Sequence, residues 1–232
     1  SKTYVTDMDE MKVKIEDLLS ETYADKRREL ITDKAIIPTH GDPYSPGTVY
    51  LCTSDKEGNM VSYIQSNYTE FGSGLVVPNT GIAIHNRGNN FSLDKNHVNV
   101  VKPFKKPYHT IIPGFICKSN ESVGAFGVMG AFMQPQGHLQ VITNLIDFNL
   151  NPQESLDAPR WQWIGENLIE VEEDMPLDIV KGLMKKGHKI KIVKDFTSMG
   201  KGQIILKKKL NEKESVYISA TEKRCDGHIA VW

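Results

Sequence analysis

Apolar positions in residues 7–32 fall at Met11, Ile15, Leu18 and Leu19, with Tyr23 and Leu30 continuing the series among charged residues. That spacing marks one face of a helix and predicts one or two surface helices. Residues 38–47 then hold three prolines and two glycines, which exclude a helix or a central strand and predict an extended, exposed connection. The pattern changes at Thr48. Residues 48–53 and 60–66 read as strands, and the intervening Glu57, Gly58 and Asn59 suit a hairpin turn. Thr48 therefore opens an inner strand that folds back on itself.

Further strands are predicted at 81–85, 110–117 and 122–129. A helix over 137–148 has Leu139, Ile142, Leu145 and Ile146 on one face, and a short helix over 152–157 has proline in its first turn. Trp161 and Trp163 alternate on a strand and read as core or interface, and residues 167–171 form another strand. A helix over 177–186 stops at Gly187, and strands follow at 190–193, 203–206, 216–220 and 229–232. Strands, then helices, then strands fit a layered α+β domain better than a regular βαβ wind.

Composition narrows the function classes. The chain has 232 residues, 39% of them hydrophobic, and a net charge of −1. That supports a buried core and gives no broad attraction to nucleic acid or acidic membranes. The short lysine clusters at 105–106, 185–186 and 207–209 read as solvated edges. No apolar run is long enough for a membrane span. The three cysteines, Cys52, Cys117 and Cys225, form no CxxC pair, so no metal site is indicated. Cys52 and Cys117 sit in apolar runs and are expected to be buried. The odd count, with no signal peptide in view, points to the cytoplasm, with a secreted or periplasmic location as the alternative.

A threonine hydroxyl attacks a carbonyl only if a base removes its proton. An N-terminal threonine carries that base as its own α-amine, with a reference pKa near ~8. Such an enzyme is made as a precursor and cut just before the threonine. Pro46, Gly47, Thr48 and Val49 supply a flexible approach, a small preceding residue and a following strand. Standing alone, such a junction is more often only structural.

The blocks around it carry more. Thr48, the turn at 57–59, Ser66 and the run Phe71, Gly72, Ser73, Gly74 come first. Then follow the segments 81–86, 91–92, 106–113, 127–131, 140–147, 158–160 and 224–227. In order and spacing these resemble the gamma-glutamyltranspeptidases over residues 7–232. The resemblance implies a four-layer αββα N-terminal-nucleophile hydrolase sandwich, of which this chain is the C-terminal, small-subunit part. Residues 1–47 would be the tail of a large subunit with the pre-cleavage linker, and 48–232 the catalytic subunit. Cleavage would fall between Gly47 and Thr48. Thr48 would attack an amide to form an acyl-enzyme, resolved by water or an acceptor amine. Ser66 stands where the family has a threonine bonded to the nucleophile. Gly130 and Ala131 occupy the glycine pair whose N–H groups form the oxyanion hole. No metal or organic cofactor is implied. The implied partners are a small-molecule amide and the large subunit of the same precursor, with homo- or hetero-oligomers open.

The pocket departs from the family. Asn90 replaces an acid, Arg87 a glutamine, Tyr68 an asparagine, and His109 and Thr110 a serine pair. Losing the acid removes the counter-charge for a substrate ammonium, while Arg87 adds a partner for a carboxylate. Glutaryl or other amino-less acyl amides are therefore expected over γ-glutamyl ones. The same pattern resembles the family branch that includes class IV cephalosporin acylases and an oxamate amidohydrolase. His109 is a candidate substrate contact or a structural residue, and His138 a structural helix-end residue. Two other readings stay open: a retired enzyme serving as a binding module, and a fragment that needs its large-subunit partner.

Overall fold

The computed structural model describes residues 5–35, 48–69, 71–211 and 214–232. Two short helices begin it, α1 (Ile15–Leu18) and α2 (Glu21–Arg28), neither with a buried residue. The serine hydroxyl of Ser20 caps α2 by accepting from Tyr23 N–H at 3.2 Å. The predicted surface helices are thus present.

β1 (Thr48–Ser54) and β2 (Met60–Ser66) form an antiparallel hairpin in which Thr48 faces Ser66. Asp55 closes the turn, accepting from the backbone and side-chain nitrogens of Asn59 at 2.8 and 2.7 Å. A second sheet has the order β3-β4-β8-β9, from β3 (Gly114–Lys118), β4 (Glu121–Met129), β8 (Lys201–Lys209) and β9 (Ser215–Thr221). The hairpin stacks on this sheet. Tyr50 of β1 is buried over Gly127 of β4, where a Cβ would sit 2.5 Å from the tyrosine ring. Only glycine allows that approach.

The other face of the larger sheet carries α3 (Met133–Ile146) and α4 (Pro152–Asp157). Gly137 of α3 lies against Val128, and Leu156 of α4 against Gly202. Phe126, Val128, Val141, Leu156, Ile204 and Ala220 form the core between them. α4 begins with a capping box between Asn151 and Glu154. Helices, sheet and hairpin are three of the layers of the αββα sandwich. The hairpin's outward face, with Val49, Leu51, Val61 and Tyr63, is exposed.

A third sheet joins β5 (Trp161–Gly165), β6 (Leu168–Glu172) and β7 (Lys189–Val193). β6 and β7 are parallel and connected through α5 (Leu177–Lys185), one βαβ unit within the α+β layering. It has its own small core of Ile169, Val171, Met175 and Val180. Gly187 closes α5 at φ +101°.

Several expectations change. Residues 81–85 form only a bridge, Val76 to Ala83, rather than a strand. The strand predicted over 110–117 begins at Gly114, because Pro113 cannot donate to a ladder. The preceding residues are held by side chains instead. α3 starts earlier than the apolar spacing indicates, since Pro135 in its first turn costs no hydrogen bond. Residues 229–232 are not a strand. Cys117 is exposed on edge strand β3 and Cys52 is only partly buried, so neither is the buried hydrophobe expected.

Candidate active site

Antiparallel register brings the first pair of groups together. Thr48 opens β1, Ser66 closes β2, and the Thr48 hydroxyl donates to Ser66 Oγ at 3.1 Å. Both residues are half-buried. Ser66 Oγ also accepts from the backbone N–H of Tyr68 at 2.9 Å. This second bond holds Tyr68 in the left-handed region, at φ +78°. A bulky side chain is rare there and costs on the order of 1–3 kcal/mol, which the surrounding bonds must offset.

Tyr68 reaches from the hydroxyl pair into the segment around residue 90. Its phenol donates to Asn90 Oδ1 at 2.9 Å, and its ring lies 5.3 Å from the Arg87 guanidinium. Asn90 Nδ2 donates to the Tyr108 carbonyl at 3.0 Å, and Arg87 Nη1 donates to Thr110 Oγ1 at 3.2 Å. Tyr68, Arg87, Asn90 and Thr110 therefore form one connected set. Arg87 and Asn90 are each only 1% exposed. Among the described residues, Arg87 Nη2 has no hydrogen-bond partner and no carboxylate acts on the guanidinium. Burial lowers its pKa from the ordinary value, but a guanidinium remains charged near neutrality. It is a buried cation beneath the Tyr68 ring rather than an open pocket wall.

His109 adjoins this set through His85, whose Nδ1 accepts from the Arg87 backbone N–H at 3.2 Å and whose ring lies edge-on 6.5 Å from that of His109. His109 is exposed, and its Nδ1 lies 2.8 Å from the Pro107 carbonyl, which favours the Nδ1–H tautomer and leaves Nε2 facing outward. His138 is inside α3, with Nδ1 2.6 Å from the Gln134 carbonyl, as befits a structural residue.

β4 ends where the second group of candidates lies. Gly130 has φ +139° and Ala131 φ +50°, so the chain turns sharply before α3. Their carbonyls accept from Met133 N–H at 2.8 Å and Gln134 N–H at 3.2 Å, starting the helix. Val49 and Met129 line one groove of about 340 Å³ that also holds residues 225–230. β1 and the end of β4 thus border this groove. Thr48, Ser66, Gly130 and Ala131 do not themselves line that groove, and neither do Tyr68, Arg87, Asn90, His109 and Thr110.

Two contributors had no clear sequence signal. Gln134, fully buried, accepts from Ile112 N–H at 3.0 Å and so ties residues 110–112 to the first turn of α3. Gly200 packs against Gly130, and only the glycines at 200 and 202 hinted at close packing. Gly47 lies outside the described residues.

The thiols near these candidates are not reactive ones. Burial pushes the Cys52 thiol up to about 11 and raises Cys225, so neither is a poised thiolate. Among the described residues no group of three or more His, Cys, Asp or Glu could hold a metal ion. No helix there is long and apolar enough to cross a membrane.

Known proteins resemble this chain in sequence and in fold. The glutathione hydrolase-like YwrD proenzyme of Bacillus subtilis is 37% identical over 189 residues, covering 79% of this chain and 36% of that protein. The oxamate amidohydrolase proenzyme of Klebsiella pneumoniae is 31% identical over 234 residues, covering 98% and 43%. A crystal structure of cephalosporin acylase from Bacillus halodurans superposes with TM-score 0.89 at 53% identity, covering 100% of this chain and 42% of that one. The chain thus spans well under half the length of these relatives. The family model described as gamma-glutamyltranspeptidase matches residues 1–232, and the chain belongs to the gamma-glutamyltranspeptidase family.

Proposed function

We propose that this chain is the C-terminal part of an N-terminal threonine amidohydrolase, freed by cleavage between Gly47 and Thr48. The observation that carries the reading is the 3.1 Å bond from the Thr48 hydroxyl to Ser66 at the mouth of the hairpin. Residues 1–47 would end a large subunit of the same precursor, and residues 48–232 would form the small one.

In the freed enzyme the Thr48 amine takes the proton from Oγ1, which attacks the amide carbonyl. The Gly130 and Ala131 N–H groups would receive the oxyanion. Collapse of the tetrahedral adduct breaks the C–N bond, and the Thr48 ammonium returns its proton to the leaving amine. Water, or an acceptor amine, then attacks the acyl ester with the same amine as base.

The acyl group favoured is one with a terminal carboxylate and no α-ammonium, such as glutaryl. Asn90 offers no negative charge, whereas Arg87 is a buried cation with no carboxylate beside it among the described residues. Because Tyr68 covers Arg87, that charge acts from behind the Tyr68 and Thr110 side chains unless the tyrosine ring moves. His109 Nε2, on the exposed rim, is a further donor or acceptor for substrate. Two relatives are named for cephalosporin and oxamate and a third is named glutathione hydrolase-like, so the choice rests on Asn90 and Arg87.

The test is the Thr48→Ala variant of the full-length protein, followed by mass spectrometry and by assays on matched glutaryl and γ-glutamyl anilides. Cleavage and turnover should both vanish in the variant, and the unaltered protein should prefer the glutaryl compound. A variant still cut before residue 48 would sink the self-processing reading. A preference for the γ-glutamyl compound would sink the substrate assignment.

A further inference from the structure

We propose that Arg160 is a positioning residue for the backbone donors of Gly130 and Ala131, acting through the turn at Met199 and Gly200. This rests on the reading of those donors as an oxyanion site.

Arg160 is 2% exposed and lies outside the set that joins Thr48 to Arg87. Its Nη1 donates to two consecutive carbonyls, Met199 at 3.0 Å and Gly200 at 2.8 Å. Its Nη2 donates to Glu222 Oε2 at 2.7 Å, and that same oxygen accepts from Gly202 N–H at 2.9 Å. Arg224 bridges Glu222 and Glu172, and Glu172 accepts from the Arg160 backbone N–H at 2.9 Å. Two cations and two carboxylates therefore balance in a buried cluster. Removing one member leaves a buried charge uncompensated, so the geometry is held stiffly.

The turn so held is the one that Gly130 leans on. A Cβ on Gly130 would sit 3.0 Å from Gly200 Cα. Gly200, at φ +78°, is itself closed in: a Cβ there would meet Val128 at 2.7 Å and the Met129 carbonyl at 3.1 Å. Strand register adds a second tie, because Lys201 pairs with Met129 immediately before Gly130. No slack remains between the two glycines. A shift of the Met199 and Gly200 carbonyls is passed to the Gly130 turn, and donors at a reacting centre tolerate only about 0.5 Å of misplacement. A guanidinium can hold two carbonyls and a carboxylate at once, and an ammonium on a flexible stem holds them less well.

The experiment uses the full-length protein and Arg160→Lys, with kcat and KM measured on a glutaryl anilide. Binding of two probes accompanies them. A boronic acid with a terminal carboxylate forms a tetrahedral adduct on Thr48 and places an oxygen at the donors, whereas glutarate does not. Expected are a fall in kcat of about tenfold or more and a parallel loss of boronate affinity. KM and glutarate affinity should change less than about twofold, because uniform binding is untouched. Unchanged kcat and boronate affinity would overturn the proposal, as would glutarate affinity falling in step with the boronate. Should Arg160→Lys fail to fold, Arg160→Gln combined with Glu222→Gln, which removes one cation and one carboxylate together and leaves Arg224 balanced by Glu172, carries the same readouts. If the unaltered protein forms no boronate adduct on Thr48, the oxyanion reading itself fails and takes this proposal with it.

Discussion

The Tyr68 phenol donates to Asn90 Oδ1 at 2.9 Å while its ring covers the Arg87 guanidinium at 5.3 Å. One side chain thus separates an uncharged amide from a buried cation. Asn90→Asp adds a negative charge at this point and replaces the donor to the Tyr108 carbonyl with a second acceptor. The ratio of γ-glutamyl to glutaryl hydrolysis should rise by about tenfold, as a charge-assisted bond to an ammonium becomes available. Arg87→Met should lower glutaryl hydrolysis without raising γ-glutamyl hydrolysis. Paired kcat/KM values check both, and a selectivity that neither substitution moves would remove this set from substrate recognition.

Ser66 accepts from both the Thr48 hydroxyl and the Tyr68 amide. Ser66→Ala should reduce kcat roughly tenfold, the scale of one hydrogen bond lost from a partly buried group. Cleavage before Thr48 should slow in the same variant, and Ser66→Thr should restore both rates. Time courses of processing followed on gels, with initial rates on one substrate, give the answer. Rates in Ser66→Ala equal to those in Ser66→Thr would show the hydroxyl to be dispensable.

Contact between the hairpin and the larger sheet depends on Gly127. In Gly127→Ala the methyl would lie 2.5 Å from the Tyr50 ring, so β1 must move away from β4. Overpacking of this kind costs about 1–3 kcal/mol. Denaturant titration should show that loss, and activity should fall with it because Thr48 opens the displaced strand. Gly182→Ala is the contrasting change. Nothing lies within 4 Å of its Cβ position in α5, and alanine should stabilise that helix by up to about 1 kcal/mol.

His138 sets a pH dependence. Burial lowers its pKa from the ordinary value of 6.5, so the folded protein resists a proton that the unfolded chain accepts. The unfolded state binds more protons once pH falls below about 6.5, and stability is lost as acidification proceeds. Above that pH both states hold neutral imidazole and the dependence disappears. Midpoints of urea denaturation at pH 7.5 and 5.5 should differ in this direction, and His138→Gln should narrow the difference. A midpoint that rises on acidification in the unaltered protein alone would contradict the sign.

The amino-acid sequence by itself determined most of the local elements, and the family resemblance put Ser66 with Thr48. Alternation in residues 48–66 around a glycine turn leaves little choice of register, and the register sets Ser66 opposite Thr48. Ordered blocks along the whole chain identified the family and with it the layers. Side-chain direction and burial were another matter. Arg87 read as a pocket wall, yet the tertiary structure puts it beneath Tyr68, because long-range packing decides which groups face solvent. Residues 81–85 looked like a strand, but without an adjacent ladder they make only one bridge. The Arg160, Glu172, Glu222 and Arg224 cluster joins positions up to 64 residues apart by number (160 to 224), and charges so separated show no periodicity to read. Spacing along a chain records neighbours on one helix or strand. Which glycine leans on which, as Gly130 does on Gly200, is settled only when separate elements meet.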